Sequence, residues 1–165
     1  KSSNLESGDN SDVNGRYFGC QLILKRYVKV CKVARSIDKS TEDEVVHKLR
    51  IHCKKLRYLM EFFTPFFPAA EIKSLIKSLK QLQDNLGRFN DYSVQQLFLK
   101  NILTSGDYSS DEGLMVAESI GALTAMLYRL QGKERNLVMK NFARFDSPET
   151  RTCFNDLFNM EATCQ

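Results

Sequence analysis

The sequence predicts an all-α fold, an antiparallel helical-hairpin bundle of about five to six helices. Three observations favour it. Apolar residues recur at steps of three and four along most of the 165 residues, as they do on the buried face of a helix. The chain has only 3 prolines and 8 glycines, so long stretches lack a residue that breaks helices. We find no alternation of apolar and polar residues that would indicate a β-strand.

The first fourteen residues contrast with the rest of the chain. Residues 1–14, KSSNLESGDNSDVN, are polar and cannot bury enough apolar surface to order themselves. We expect a disordered tail or linker there and one helical domain over residues 15–160. Because no run of about 18 apolar residues is present and the beginning shows no apolar signal segment, we expect a cytoplasmic protein without a membrane span.

Two helices are predicted in the first half of the chain. Helix one carries apolar residues at helical spacing and ends near Asp38. Ser40 or Thr41 can cap the next helix, which covers residues 44–63. Helix two stops at Pro65, since a proline disfavours helical conformation in the residue before it.

Four helices are predicted in the second half. Helix three begins after Pro68, a residue suited to a helix start, and carries a clean apolar stripe. Gly87 is expected to end helix three as a left-handed C-terminal cap, and Asn90 to cap helix four. A polar loop precedes a long helix five that continues past Gly132. A short last helix follows Pro148.

Helix two has the most asymmetric charge pattern of the chain. Residues 45–60, VVHKLRIHCKKLRYLM, contain both histidines, five Lys or Arg residues and no carboxylate. At about 100° per residue, one third of the circumference is polar. The opposite side is apolar and carries Val45, Val46, Leu49, Cys53, Leu56, Met60 and Phe63. The polar stripe consists of His47, Arg50, Lys54, Arg57, Tyr58 and Glu61, with Lys48 and Lys55 on its flank. Since a solvated face normally mixes both signs of charge, this stripe indicates an anion-binding surface.

Lysine stripes on two other helices can converge on this surface. They are Lys73, Lys77 and Lys80 on helix three, and Lys25, Lys29 and Lys32 on helix one. Each stripe also fits the solvated face that any amphipathic surface helix needs.

The sequence does not favour an enzyme, a cofactor or a metal site. No carboxylate pair, nucleophile–base pair or metal cluster emerges. The 5 cysteines are odd in number and lack C-x-x-C spacing, so reduced, mostly buried thiols are expected. His47 has no orienting carboxylate within one turn on its stripe. That environment favours a pH-sensitive anion ligand over a general base.

Two motifs resemble the CHAD domain, the conserved-histidine α-helical domain. HKLRIHCKKLRYLMEFF contains the family pattern H-x-x-R-x-x-x-[KR]-[KR]-L-R, and LKQLQDNLGRFNDYSV contains its L-G-x-x-x-D turn. The resemblance covers residues 16–158. It implies a bundle of helical hairpins with a basic central groove or pore. Family members bind inorganic polyphosphate, and some accompany polyphosphate granules.

The resemblance also implies which residues bind the polymer. His47 matches the histidine that names the family, and Tyr58 a tyrosine common in the second repeat. Gly87 and Asp91 match structural positions at the turn. Basic motif positions are matched by Arg50, Lys54, Lys55, Arg57 and Lys80. The expected polyphosphate-binding surface is His47, Arg50, Lys54, Lys55, Arg57, Tyr58 and Lys80, extended by Lys73, Lys77, Lys25 and Lys29.

CHAD domains usually contain two repeats, and this chain resembles only the second, C-terminal one. The opposite wall of the groove would then come from a second CHAD half or from a homo-oligomer. The sequence thus predicts a non-catalytic polyphosphate-binding module of the cytoplasm, with polyphosphate granules as a location that the resemblance implies.

Alternatives from other functional classes stay open. A histidine phosphotransfer domain would use His47 as phospho-acceptor beside Arg50, although Ile51 and His52 stand where small residues usually admit a partner. A general scaffold or nucleic-acid-binding module would use the same basic face. Specific nucleic-acid recognition is disfavoured, because no base-reading constellation or aromatic platform interleaves the stripe.

Overall fold

The computed structural model describes residues 9–38 and 40–159. These residues form five α-helices, with one short 3-10 helix between the second and the third. The helices are α1 (Asp9–Arg35), α2 (Asp43–Phe63), α3 (Ala69–Ser105), α4 (Asp111–Phe145) and α5 (Pro148–Phe158), and the 3-10 helix is Thr64–Phe66. The predicted all-α fold is confirmed.

Consecutive helices pack against each other as hairpins. α1 packs on α2, α2 on α3 and α3 on α4, and α5 returns to contact α1. Between α2 and α3, His47 pairs with Asn90 and Asp43 pairs with Ser93. Since the partner number rises on one helix as it falls on the other, the two helices are antiparallel. The architecture is therefore the bundle of helical hairpins expected from the sequence.

Local sequence explains several of the helix ends. Pro68 immediately precedes α3, and Pro148 lies in the first turn of α5, where the missing N–H would have no helical partner. The side chains of Ser110 and Ser147 accept hydrogen bonds from backbone N–H groups at the starts of α4 and α5. α2 ends just before the 3-10 helix that contains Pro65, as predicted.

α3 is one helix where the sequence predicts two. Gly87 lies inside it without the positive φ of a left-handed cap, and Asn90 bonds to His47 instead of capping a new helix. Leu86 and Phe89, on either side of the glycine, are buried. Their burial outweighs the roughly 1 kcal/mol that a helical glycine costs relative to alanine. The predicted break at Gly87 is therefore wrong.

The beginning of α1 lies within the segment predicted as a tail. α1 starts at Asp9 and ends at Arg35, rather than near Asp38. Because extending a helix costs far less than nucleating one, polar residues such as 9–14 can continue a helix that packing stabilises further on. Residues 1–8 of the predicted tail lie outside the described residues.

α2 lacks the side-chain cap expected from Ser40 or Thr41. Its N-cap residue is Glu42, whose side chain makes no capping hydrogen bond. Thr41 Oγ1 accepts a hydrogen bond from the backbone N–H of Asp38, and the Asp38 carboxylate accepts from Ser40. The hydroxyls therefore stabilise the loop before α2 instead of its first turn.

The hydrophobic core contains side chains from all five helices. It includes the α2 side chains predicted for the apolar side of the helix, apart from the half-buried Val45. The rings of Tyr27 and Phe154 stack with centroids 4.0 Å apart, and Phe145 meets both edge-on. Among the fully buried side chains are Ile23, Leu49, Leu56, Met60, Ile72, Leu79, Leu82, Leu86, Phe89, Phe145, Phe154 and Phe158. This packing leaves the polar stripe of α2 outside the core.

The hairpin of α3 and α4 extends beyond this core. Within residues 90–126, all of which the structure describes, no side chain is buried. We call this segment the distal hairpin. Its exposed large apolar side chains are Val94, Leu97, Phe98, Leu114, Met115, Val116, Leu123 and Met126. None of the helices in the described residues combines the length and the apolar character needed to cross a bilayer.

Candidate anion-binding site

A cleft of about 580 Å³ separates the polar stripe of α2 from the middle of α3. We call it the α2–α3 cleft. It is lined by Arg50, Lys54, Arg57 and Tyr58 of α2 and by Gln83, Asp84, Gly87, Arg88 and Asp91 of α3. Four cations and two carboxylates thus share one cavity.

Tyr58 holds two of the cations in place. The Lys54 ammonium lies 5.6 Å from the centroid of the Tyr58 ring, and the Arg57 guanidinium lies 5.2 Å from it. A cation–π contact at an exposed site contributes about 0.5–1 kcal/mol. Such contacts position a cation without neutralising it, so both charges stay available to an anion.

The α2 wall of the cleft is the more positive one. In the described part of the chain, Arg50 and Lys54 have no ion-pair partner, and Arg57 Nε lies 3.7 Å from Glu61. That distance is too long for a hydrogen bond, and an ion pair of this kind contributes little. Arg57 Nε is moreover buried without a hydrogen-bond partner. The Arg57 guanidinium therefore has an N–H donor without an acceptor among the described residues.

The α3 wall is electrically more balanced. Arg88 Nε donates to Glu134 Oε1 of α4 over 3.0 Å, and Asp84 and Asp91 add negative charge. Glu134 also accepts from the buried amide of Asn85. Arg88 thus holds α4 against α3, and the positive field of the cleft is concentrated on α2.

Gly87 leaves space in the middle of the α3 wall. A side chain built on it would meet no atom within 4 Å, so packing does not require the glycine. The sequence alone did not identify the neighbouring Arg88 as a cleft residue, because the predicted helix end at Gly87 removed it from the face of α3.

His47 stands at the N-terminal end of the stripe and is held by α3. Its Nδ1 lies 2.6 Å from Asn90 Oδ1. Because an amide oxygen only accepts, Nδ1 carries the proton. The other ring nitrogen, Nε2, is then the acceptor of the neutral ring.

Asp43 fixes this end of α2 against the two longest helices. Its carboxylate accepts hydrogen bonds from Ser93 of α3 and from Gln131 and Arg135 of α4. Arg135 also donates to the backbone oxygen of Thr41. These bonds set the position of the α2 stripe relative to α3.

The cleft does not contain all the residues expected at the site. Lys25, Lys29, Lys55, Lys73, Lys77 and Lys80 are exposed and do not line it. Lys80 lies about one turn before Asp84, and the antiparallel register places it across from Arg57. Lys80 therefore extends the rim of the α3 wall, and Lys73 and Lys77 lie further toward the start of α3.

A second group of cations lies on the other flank of α2, against α1. Arg26 Nη1 donates to His52 Nδ1 over 3.1 Å. Burial, and then the charges of Arg26, Lys29 and Lys55, lower the pKa of His52. We call these four residues the α1–α2 group. Neither Arg26 nor His52 could be assigned from single helices, because the pair forms only when α1 packs on α2.

A family model matches the part of the chain that holds this site. The model of the CHAD domain matches residues 5–100, which include α2, both sequence motifs and both walls of the cleft. The match covers more than half of the 165 residues. Comparison with curated proteins gives no match.

Proposed function

The chain belongs to the CHAD domain family, and we propose that it is a non-catalytic module that binds inorganic polyphosphate along the α2 wall of the cleft. The observation that carries the proposal is the set of cations without internal partners. Arg50 and Lys54 have no ion pair among the described residues, and Arg57 has only a distant one. A cytoplasmic location, at or near polyphosphate granules, belongs to the same proposal.

The spacing of the cations suits a flexible polymer of phosphates. From His47 to Arg57 the stripe spans about 15 Å along the helix axis. The guanidinium groups of Arg50 and Arg57 can each donate two parallel hydrogen bonds to phosphate oxygens, whereas Lys54 acts as a mobile point charge. Each such contact displaces counterions from the polymer, so affinity should fall steeply with salt.

The surroundings of Tyr58 argue against a nucleic acid as the preferred ligand. Recognition of single strands relies on open aromatic faces on which bases stack. Two cations, Lys54 and Arg57, already lie against the Tyr58 ring. The exposed aromatic ring of the stripe therefore contacts the cations and is not a free platform for a base.

The test compares two triple variants that remove the same charge. Arg50→Ala/Lys54→Ala/Arg57→Ala empties the α2 wall, and a control triple removes exposed cations elsewhere, namely Lys100→Ala/Lys140→Ala/Arg144→Ala. Titration with labelled polyphosphate should show at least about a tenfold loss for the first triple and less than about threefold for the second. The dependence of affinity on salt should also weaken, by roughly one unit of log–log slope per lost contact. Equal losses for the two triples would refute a localised site.

His47 is the one feature that also suits a histidine phosphotransfer domain. Its Nδ1 is anchored on Asn90, which leaves Nε2 as the nitrogen that could accept a phosphoryl group. Incubation with acetyl phosphate, followed by an assay for acid-labile phosphate on the wild type and on His47→Ala, separates the two functions. Stoichiometric labelling that depends on His47 would favour phosphotransfer over polyphosphate binding.

A further inference from the structure

α4 carries an apolar seam, most of it within the distal hairpin, that the described residues leave largely exposed. Val116, Leu123 and Met126 expose 51%, 42% and 51% of their surfaces. With Ser119 and Leu130 they recur at alternating steps of three and four, which is the spacing of a coiled-coil contact. We call these five residues the α4 seam.

The seam does not face α3. Thr124 and Gln131 of α4 share a cavity with Leu97 and Lys100 of α3, so they mark the side of α4 that packs on its neighbour. On a helical wheel, Leu123 lies about 100° from Thr124, and Met126 about 160° from it. The seam therefore lies on a flank of α4 and not on the side that packs on α3.

The charges of α4 have opposite signs in its two halves. Before Leu123, the charged residues of α4 are all acidic, and these are Asp111, Glu112 and Glu118. From Leu123 onward, α4 contains the basic residues Arg129, Lys133, Arg135, Lys140 and Arg144. The one acid in this second part, Glu134, is already paired with Arg88. An antiparallel pair of such helices opposes unlike charges, whereas a parallel pair opposes like charges.

We propose that two copies of this chain associate by antiparallel pairing of their α4 seams about a two-fold axis at Leu123. The axis brings Leu123 against its own copy and Val116 against Leu130 of the second copy. It also brings Glu112 near Lys133 of the second copy, since both lie on the side of α4 that carries the seam. Glu112 and Lys133 are exposed and have no ion pair within the described residues. The contact is isologous, so it closes at two copies.

Such a pair would carry two α2–α3 clefts. If both clefts bind one polyphosphate chain, the second binding event becomes intramolecular and overall affinity for long chains exceeds that for short ones. This consequence rests on the proposed function, but the pairing itself does not. Loss of self-association and loss of polyphosphate binding are therefore separable results.

Sedimentation equilibrium of the whole chain tests the pairing. The wild type should show a concentration-dependent monomer–dimer equilibrium, and Leu123→Glu should weaken it about a hundredfold, because two carboxylates would meet at the axis. Leu97→Glu places the same charge on an exposed apolar residue of α3 and should leave the equilibrium unchanged. Circular dichroism checks that both variants keep their helices. A wild type that stays monomeric, or an equal effect of the two substitutions, would overturn the proposal.

A charge exchange tests the orientation. Glu112→Arg should weaken the dimer about tenfold, since it opposes Lys133 of the second copy on both sides of the axis. Adding Lys133→Glu restores the attraction, and with it the wild-type equilibrium. In a parallel pair, Glu112 would face Glu112, so the first change would not weaken the dimer and the second would not rescue it. Either of these results would overturn the antiparallel arrangement.

Discussion

The two flanks of α2 carry similar numbers of cations in different chemical states. On the cleft side, Arg50 and Lys54 have no partner of opposite charge among the described residues. On the α1 side, Arg26 donates to His52, and the pKa of that histidine is lowered, first by burial and then by its cationic neighbours. The number of positive residues on a helix face therefore does not locate an anion site. What distinguishes the flanks is their geometry: on one side the cations line a cleft against α3, whereas on the other side Arg26 is engaged by His52 and Lys29 and Lys55 line no cleft with it.

The adjacent residues Lys54 and Lys55 allow the two flanks of α2 to be tested with one substitution each. Both are exposed, but Lys54 lines the cleft and Lys55 belongs to the α1–α2 group. We expect Lys54→Glu to lower polyphosphate affinity at least about tenfold and Lys55→Glu by about threefold or less. Fluorescence titration at two salt concentrations measures both. Equal losses would mean that the polymer responds to the overall charge of α2 and not to the cleft.

A smaller effect is expected from Tyr58, which positions two cleft cations without charge of its own. Tyr58→Leu removes both cation–π contacts and should weaken polyphosphate binding about threefold, whereas Tyr58→Phe keeps the ring and should bind like the wild type. Isothermal titration of the three proteins decides between them. If Tyr58→Phe and Tyr58→Leu weaken binding equally, the hydroxyl of Tyr58 and not the face of its ring supports polyphosphate binding.

The smallest effect concerns the α1–α2 group and the stability of the fold. Because the pKa of His52 is lowered in the folded state, the unfolded chain binds more protons as pH falls below about 6.5. Acidification through that range should therefore destabilise the wild type, by no more than about 2 °C in Tm for a half-exposed group. His52→Gln can still accept from Arg26 but does not titrate, so it should lose this part of the pH dependence. Thermal unfolding of both proteins across the range provides the measurement, and parallel curves would contradict it.

Periodicity was sufficient to predict the fold class and the buried side of α2. Val46, Leu49, Cys53, Leu56, Met60 and Phe63 were all placed on the apolar side of a wheel and are all buried. The break at Gly87 was wrong because a glycine is a local signal, and the burial of Leu86 and Phe89 is a tertiary one. The sequence shows a glycine directly, whereas it indicates tertiary burial only through the spacing of apolar residues.

Half of the cleft could be predicted in the same way, and half could not. Arg50, Lys54, Arg57 and Tyr58 share one helix face, so the wheel groups them without any knowledge of packing. Arg88 joins them only because α3 is continuous and lies antiparallel to α2. Arg26 and His52, 26 residues apart, meet for the same kind of reason. Residues on different helices are brought together by register, which no single-helix pattern contains.

The uninterrupted course of α3 has a mechanical consequence. Its 37 residues form a rod of about 55 Å, with the cleft wall near its middle and the distal hairpin at its end. A turn at Gly87 would have let these two parts hinge against each other. Because α3 is continuous, it fixes both the distance and the rotation of the far end of the distal hairpin relative to the cleft. Each residue inserted beyond Asp91 would move the distal hairpin about 1.5 Å further from the cleft and rotate it by about 100°.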